Sequence, residues 1–195
     1  VLWDTTHIAL QSISLRPFLA THARFSDLMI LPTAYGEGRS IEDVVAVEAG
    51  LFDARVPVLI IPKGQTSAPT CNKILLAWNS GEEALAATRA ALPFLTKASQ
   101  VEITIINPSP HAADRSDPGG LLAHFLARHG CKAEIAVLAK SEYSVADTLN
   151  RRAMERGCDM IVMGAYGHSR MRESILGGAT RDMLETTQVP VLMAR

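Results

Sequence analysis

This chain of 195 residues has few aromatic residues, almost no excess of one charge and no long apolar run. Phe, Trp and Tyr make up 5% of it, and 19 basic against 20 acidic residues leave a formal net charge of -1. Such a balance gives no general attraction to nucleic acid or to an anionic membrane, so we expect neither as a partner. No apolar run approaches the roughly 20 residues of a membrane-spanning helix, and no secretory signal is recognisable.

Cysteine is also scarce, with Cys71, Cys131 and Cys158 as the three examples. An odd number without close spacing is typical of reduced thiols rather than of a disulfide framework, which predicts a cytoplasmic protein. His124 and His129 lie near Cys131, but no fourth ligand is close in sequence, so we predict no metal site. What the chain has in quantity is apolar residues, at 48%, which is enough for a packed core.

The chain contains an internal duplication, a pattern that indicates repeated structural units. Three segments recur in the same order at nearly the same spacing: Asp27–Leu31 as Asp159–Met163, Ala34–Gly36 as Ala165–Gly167, and Val56–Ile60 as Val189–Met193. We therefore divide the chain into a partial first copy (residues 1–63), a linker rich in Gly, Ser, Thr and Pro (64–70) and a complete second copy (71–195). The first copy is three strands short of the second.

Strand-like and helix-like segments alternate along the whole chain. In the second copy the patterns predict strands at 73–78, 101–106, 133–138, 159–163 and 189–194, separated by helices at 82–98, near 121–126, at 145–153 up to Gly157, and at 178–187. In the first copy they predict a helix at 8–23, a strand at 27–31, a helix at 41–54 and a strand at 56–61. This alternation predicts a parallel sheet with helices on both faces. Such sheets bind ligands beyond the carboxyl ends of their strands, where the strand order reverses.

Glycines cluster at one such carboxyl end. Gly164 and Gly167 follow the strand at 159–163, and Gly177 and Gly178 precede the last helix. Glycine lets backbone N–H groups turn toward a ligand, and the start of a helix offers unpaired N–H donors with a positive dipole. A tight turn would need small residues even without a ligand, but the combined spacing favours a phosphate-binding site.

Together, these glycines, the strand before them and the terminal Val189-Pro-Val-Leu strand resemble the universal stress protein family. The resemblance covers 71–195 and, more weakly, 24–62. It implies an α/β fold of the adenine-nucleotide α-hydrolase type, with a five-stranded parallel sheet in the order 3-2-1-4-5. It also implies ATP binding, with or without Mg²⁺. The residues that the resemblance assigns to ATP are Gly164, Gly167, Gly177, Gly178 and Thr180 around the phosphates, Asn79 near the ribose and adenine, and Pro108 beside the base.

Two departures from the ATP-binding pattern leave an alternative open. Asn79 stands where Asp is usual, and Gly178 stands where Ser or Thr is usual, so a charge and a hydroxyl are lost. A stress protein of the same fold that dimerises as a scaffold without nucleotide is the second hypothesis. In the first copy Pro32 or Thr33 stands at the position of Gly164, and Glu37, Glu42 and Asp43 supply negative charge. We expect no nucleotide there.

The chain offers no arrangement of catalytic residues. No serine lies in a recognisable nucleophile motif, and Gly177-Gly178 is not followed by the lysine of a P-loop. We therefore predict no enzyme, with at most slow, incidental ATP hydrolysis, although a related α-hydrolase activity is a third and weaker reading. The apolar segments Val56–Ile61 and Val189–Ala194 are expected to pair antiparallel, either within one chain as a pseudo-dimer or between two chains as a homodimer.

Overall fold

A central sheet lies between two layers of helices in the structure, a computed structural model that describes residues 2–66, 68–108, 116–139, 141–167 and 178–195. The strands are β1 (Met29–Pro32), β2 (Val58–Ile61), β3 (Lys73–Ala77), β4 (Gln100–Ile106), β5 (Ala133–Leu138), β6 (Met160–Gly164) and β7 (Val191–Ala194). The helices are α1 (Ser12–Ala23), α2 (Ile41–Glu48), α3 (Glu82–Leu95), α4 (Gly120–Arg128), α5 (Val145–Arg156) and α6 (Gly178–Thr186), and a π-helical segment (Ala49–Ala54) continues α2.

The sheet has seven strands in the order β1-β2-β7-β6-β3-β4-β5. Within it, the strands of the second copy have the order 3-2-1-4-5, which confirms the fold predicted from the sequence. All neighbours are parallel except β2 and β7. The chain builds outward from β3 to β5 and then returns to the other side of β3, so the strand order reverses between β3 and β6.

Alternating side chains of the strands pack against the two helical layers, because successive residues of a strand point to opposite faces. One core joins alternate residues of the strands, such as Ile103 of β4, to α3 and α4. The other core joins the opposite face, which includes Leu75 and Ile161, to α5, α6 and α2. Each large apolar side chain buried in this way contributes roughly 1.5–3 kcal/mol. The near-continuous apolar runs of the sequence are thus strands covered on both faces.

Helix α5 shows how local sequence sets the bounds of an element. The hydroxyl of Ser144 accepts a hydrogen bond from the backbone N–H of Asp147 at 3.1 Å, which caps the start of the helix. Gly157 ends it with a left-handed φ of +64°, a conformation that glycine adopts at little cost. The helix stop predicted at Gly157 is confirmed.

Three predicted helices differ in extent from those observed. Residues 2–11 are exposed and not helical, so α1 begins at Ser12 rather than at residue 8, and α3 ends at Leu95 rather than at 98. The helix predicted over 41–54 changes to a π-helical segment at Ala49. A Cβ on Gly50 would lie 2.8 Å from the Cγ2 atom of Val58, so β2 packs directly against the backbone of this segment.

The antiparallel contact between β2 and β7 joins the two copies into one sheet. Leu59 lies opposite Leu192, and these leucines occupy equivalent positions in the two matching segments. The pairing is therefore related by a local two-fold axis that passes near this leucine pair. The parallel neighbours of the two leucines are also equivalent positions of the two copies. Ile30 lies opposite Leu59, and Val162 lies opposite Leu192.

Candidate functional site

A pocket with a volume of about 420 Å³ opens at the carboxyl ends of β3, β4 and β6. This volume lies within the ~300–1,000 Å³ that is usual for small-molecule sites. Its apolar lining residues include Ala77, Trp78, Ile106, Val145, Leu149 and Met163. The remaining lining residues are Asn79, Glu83, Ala84, Thr104, Gly164, Tyr166, Gly167, Gly178, Ala179 and Thr180. The pocket thus lies at the reversal of strand order, where parallel sheets of this kind bind ligands.

Most of the binding residues expected from the sequence meet in this pocket. Its lining includes Asn79, Gly164, Gly167, Gly178 and Thr180. Pro108 follows β4 and is half-buried, but it is not among the lining residues. Gly177 lies outside the described residues.

Gly164 has a structural reason to be glycine. A Cβ at this position would lie 2.5 Å from the backbone nitrogen of Ala84, at the start of α3. No side chain fits between β6 and α3 at such a distance. This glycine therefore lets α3 approach the sheet, whatever the pocket binds.

The turn after β6 is held on two sides. The backbone N–H of Tyr166 donates a hydrogen bond to the Oγ1 atom of Thr180 at 3.1 Å, which ties the turn to α6. The Tyr166 ring is buried, with 8% exposure, and its centroid lies 4.7 Å from that of Phe52 in the first copy. Burial raises the pKa of the Tyr166 hydroxyl. Tyr166 itself has a left-handed φ of +60°, which a non-glycine residue keeps only when its surroundings fix it.

Asn79 shapes the turn after β3. Its side-chain oxygen accepts a hydrogen bond from the backbone N–H of Gly81 at 3.0 Å. Its side-chain nitrogen lies 4.0 Å from the point where a Cβ of Gly167 would be. Because the oxygen is used within the turn, the amide presents its N–H donors toward the turn after β6. A donor in this position suits an oxygen-rich ligand such as a phosphate or a ribose.

Several lining residues were not identified from the sequence. Trp78 directly follows β3, so the rule that ligands bind at carboxyl strand ends could have found it. Leu149 lies on α5, and in the structure it lines the pocket. Glu83 carried no signal, because two acids in the first turn of a helix are common for reasons of helix stability alone.

A buried ion-pair network lies next to the pocket. Glu102 of β4 is 1% exposed, and its carboxylate accepts hydrogen bonds from Arg152 at 2.6 Å and Arg156 at 2.7 Å. Burial acts against ionisation of Glu102, but the hydrogen bonds from the two arginines lower its pKa below the usual range. The hydroxyl of Thr104, a pocket residue, donates to the same carboxylate at 3.3 Å. The network thus links the pocket wall on β4 to α5.

Among the described residues, no three His, Cys, Asp or Glu side chains converge as a metal site would require. In the same part of the chain, no helix combines the length and the apolar character needed to cross a membrane.

Several known proteins are similar to this chain in sequence or in fold. The sequence model described as the universal stress protein family matches residues 70–195. A universal stress protein of Synechocystis sp. is 27% identical in an alignment of 144 residues that covers 71% of this chain and 47% of that relative, so the chain spans about half of the relative's length. A solved universal stress protein from Archaeoglobus fulgidus is similar with a TM-score of 0.69 and 16% identity, over 92% of this chain and 64% of that one. A functionally unknown protein from Pseudomonas aeruginosa is similar with a TM-score of 0.61 and 17% identity, over 92% and 67%. The chain belongs to the universal stress protein family.

Proposed function

We propose that the second copy binds an adenine nucleotide, ATP above all, in the pocket between β3 and β6. The observation that carries this proposal is the meeting of Asn79, Gly167 and Thr180 in one pocket at the reversal of strand order. These residues come from three separate segments of the chain. On this proposal the protein is a regulatory module of the stress response, since bound nucleotide would change the surface offered to partners.

The pocket lining offers groups for both parts of a nucleotide. Trp78, Ile106 and Leu149 are apolar and suit a base. Gly178, the first described residue of α6, also lines the pocket, and the first described turn of that helix has no acidic residue. The N–H groups and the dipole of that helix start favour a phosphate. Mg²⁺, if bound with the nucleotide, would neutralise part of the phosphate charge.

The proposal is tested by thermal unfolding and titration calorimetry with Mg-ATP. A ligand at 100 times its dissociation constant should stabilise the fold by about 2.7 kcal/mol. We expect Gly167→Asp to abolish this shift, because a carboxylate there would repel phosphate. The matched control is Gly36→Asp in the first copy, which follows the equivalent Ala-Tyr pair and should leave the shift intact. ATP binding that survives in Gly167→Asp would refute the phosphate assignment.

A second candidate function is a scaffold that uses this fold for assembly without nucleotide. The antiparallel contact of β2 with β7 favours it, because the contact has the local two-fold symmetry of a dimer interface. The absence of any shift with ATP, ADP or AMP would support this reading. For either function we propose a cytoplasmic protein whose two copies associate within one chain through Val56–Ile61 and Val189–Ala194, without catalysis beyond slow, incidental ATP hydrolysis.

A further inference from the structure

Glu83 brings a negative charge into the part of the pocket assigned to phosphate. It is half-buried in the first turn of α3 and lines the pocket. A Cβ on Gly167 would lie 3.2 Å from a carboxylate oxygen of Glu83, and a Cβ on Gly81 would lie 3.4 Å from the same oxygen. The carboxylate therefore stands between the turn after β3 and the turn after β6.

No other described residue that lines the pocket carries a charge. The other described lining residues are apolar side chains, small residues, hydroxyls and the Asn79 amide, none of which carries a positive charge. A charge held between two turns is also less screened by water than one on an open surface. The carboxylate therefore acts most strongly on whatever charge a ligand brings next to Gly167.

We propose that Glu83 is a specificity-determining residue that selects against a free polyphosphate. This inference rests on the proposed function, because it concerns the same nucleotide. Each added phosphate brings more negative charge toward the Glu83 carboxylate, so the uncomplexed ATP tail is disfavoured relative to AMP. A divalent cation bound to the phosphates removes most of this repulsion. The site thus takes adenine nucleotides of low net charge: AMP, or ATP as its metal complex.

A first-turn acid also stabilises a helix through the helix dipole, and this effect must be separated from ligand selection. Glu82 provides the separation, because it lies in the same first turn. It is exposed and is not among the lining residues of the pocket. Glu82→Gln and Glu83→Gln thus remove the same charge from the same helix end, but only the second removes it from the pocket.

The test is calorimetric titration of wild type and both variants with ATP and with AMP, each in chelator and in excess Mg²⁺. In chelator, we expect Glu83→Gln to bind ATP about tenfold more tightly than wild type and AMP only about twofold more tightly. Adding Mg²⁺ should strengthen ATP binding by about tenfold in wild type and much less in Glu83→Gln. Glu82→Gln should match wild type to within about twofold, as expected for an exposed charge.

Two negative results have different meanings. If both nucleotides bind but the ratio of their affinities is the same in wild type and Glu83→Gln, the selectivity role is wrong and the proposed function stands. If neither nucleotide binds wild type or Glu83→Gln, with or without Mg²⁺, the proposed function fails and the selectivity role fails with it. Circular dichroism of the isosteric Gln variants verifies that each is folded.

Discussion

The turns after β1 and β6 have the same Ala-Tyr-Gly sequence but lead into helices with different starts. In the first copy, the backbone N–H of Ser40 donates to the Asp43 carboxylate at 2.8 Å, and the two residues form a capping box at the start of α2. In the second copy, α6 has no acidic residue in its first turn, and its Thr180 bonds the turn itself. The helix start is therefore bonded by its own carboxylate in the first copy, whereas in the second copy the first described residues of α6 line a pocket.

The two copies also differ in how their charges are held. In the first copy, Arg16 of α1 donates to Glu48 at 2.9 Å and to Asp53 at 2.7 Å, and its side chain is 44% exposed. In the second copy, Glu102 is almost wholly buried beneath its two arginines. Exposed pairs contribute little because water screens them, whereas a buried charge depends on its partners. We therefore expect the free energy of unfolding to fall more when an ion-pair partner is removed from the second copy than from the first.

Removing a charge from each network gives the largest expected contrast. Glu102→Ala should lower the free energy of unfolding by about 3 kcal/mol, because it leaves two arginines without their buried partner. Arg16→Ala should lower it by less than about 1 kcal/mol. Urea unfolding at pH 7 measures both. Equal losses would mean that the burial difference between the two copies has no energetic consequence.

The pH dependence of the stability that Glu102 contributes tests whether its charge is the cause. The folded-state pKa of Glu102 is lowered, so its ionised form stabilises the fold above the unfolded value of about 4.3. That stabilisation is lost as the pH falls through the folded-state pKa. The gap in urea midpoint between wild type and Glu102→Gln should therefore be full at pH 7 and shrink below about pH 4. A gap that is the same at pH 7 and pH 3 would exclude ionisation as its cause.

Substituting one glycine of each copy by alanine should give the next largest difference in stability. Gly164→Ala must push β6 and α3 apart, which should cost about 2–3 kcal/mol. Gly36 has a left-handed φ of +106° and no atom within 4 Å of an added Cβ, so Gly36→Ala should cost only about 1 kcal/mol of backbone strain. Thermal unfolding separates them, at about 2–4 °C per kcal/mol for a chain of this size. A larger loss at Gly36 would contradict the close approach of α3.

Much of the fold could be predicted because its signals are local. The segment 133–138 is an apolar run between turn residues, and β5 has those bounds. The segment 159–163 is a similar run, and β6 is displaced from it by one residue. The order of the strands came from the family resemblance and is confirmed. The pocket residues Gly164 and Gly167 could be named from the same kind of local signal, because they follow a strand, whereas Asn79 came from the family resemblance.

The remainder depends on contacts between distant segments, which a single sequence does not display. Glu102 looks like an exception within an apolar strand, and its partners Arg152 and Arg156 lie about fifty residues away on α5. Glu83 reaches the pocket because α3 approaches Gly164 closely. Tyr166 is buried in the core because the ring of Phe52, from the other copy, packs against it.

The equivalent tyrosines of the two turns, Tyr35 and Tyr166, should give the smallest difference in stability between the two copies. Neither the Tyr35 nor the Tyr166 hydroxyl has a hydrogen-bond partner among the described residues. The Tyr166 ring is buried, whereas Tyr35 is half-buried with the Arg181 guanidinium 5.2 Å above its ring. Removing an unpartnered buried hydroxyl relieves a desolvation cost, so Tyr166→Phe should raise the free energy of unfolding by up to about 1 kcal/mol. The Tyr35 hydroxyl is also buried, but its ring is half-buried and lies nearer to water, so Tyr35→Phe should raise it by less than about 0.5 kcal/mol.

Urea unfolding without nucleotide measures both tyrosine variants. Stabilisation confined to Tyr166→Phe would show that the second copy keeps a polar group at a cost next to its pocket, as functional sites often do. A loss of stability in Tyr166→Phe would instead mean that water or another group satisfies this hydroxyl. The two turns would then differ in hydration rather than in burial, and the comparison between them would rest on the helix starts alone.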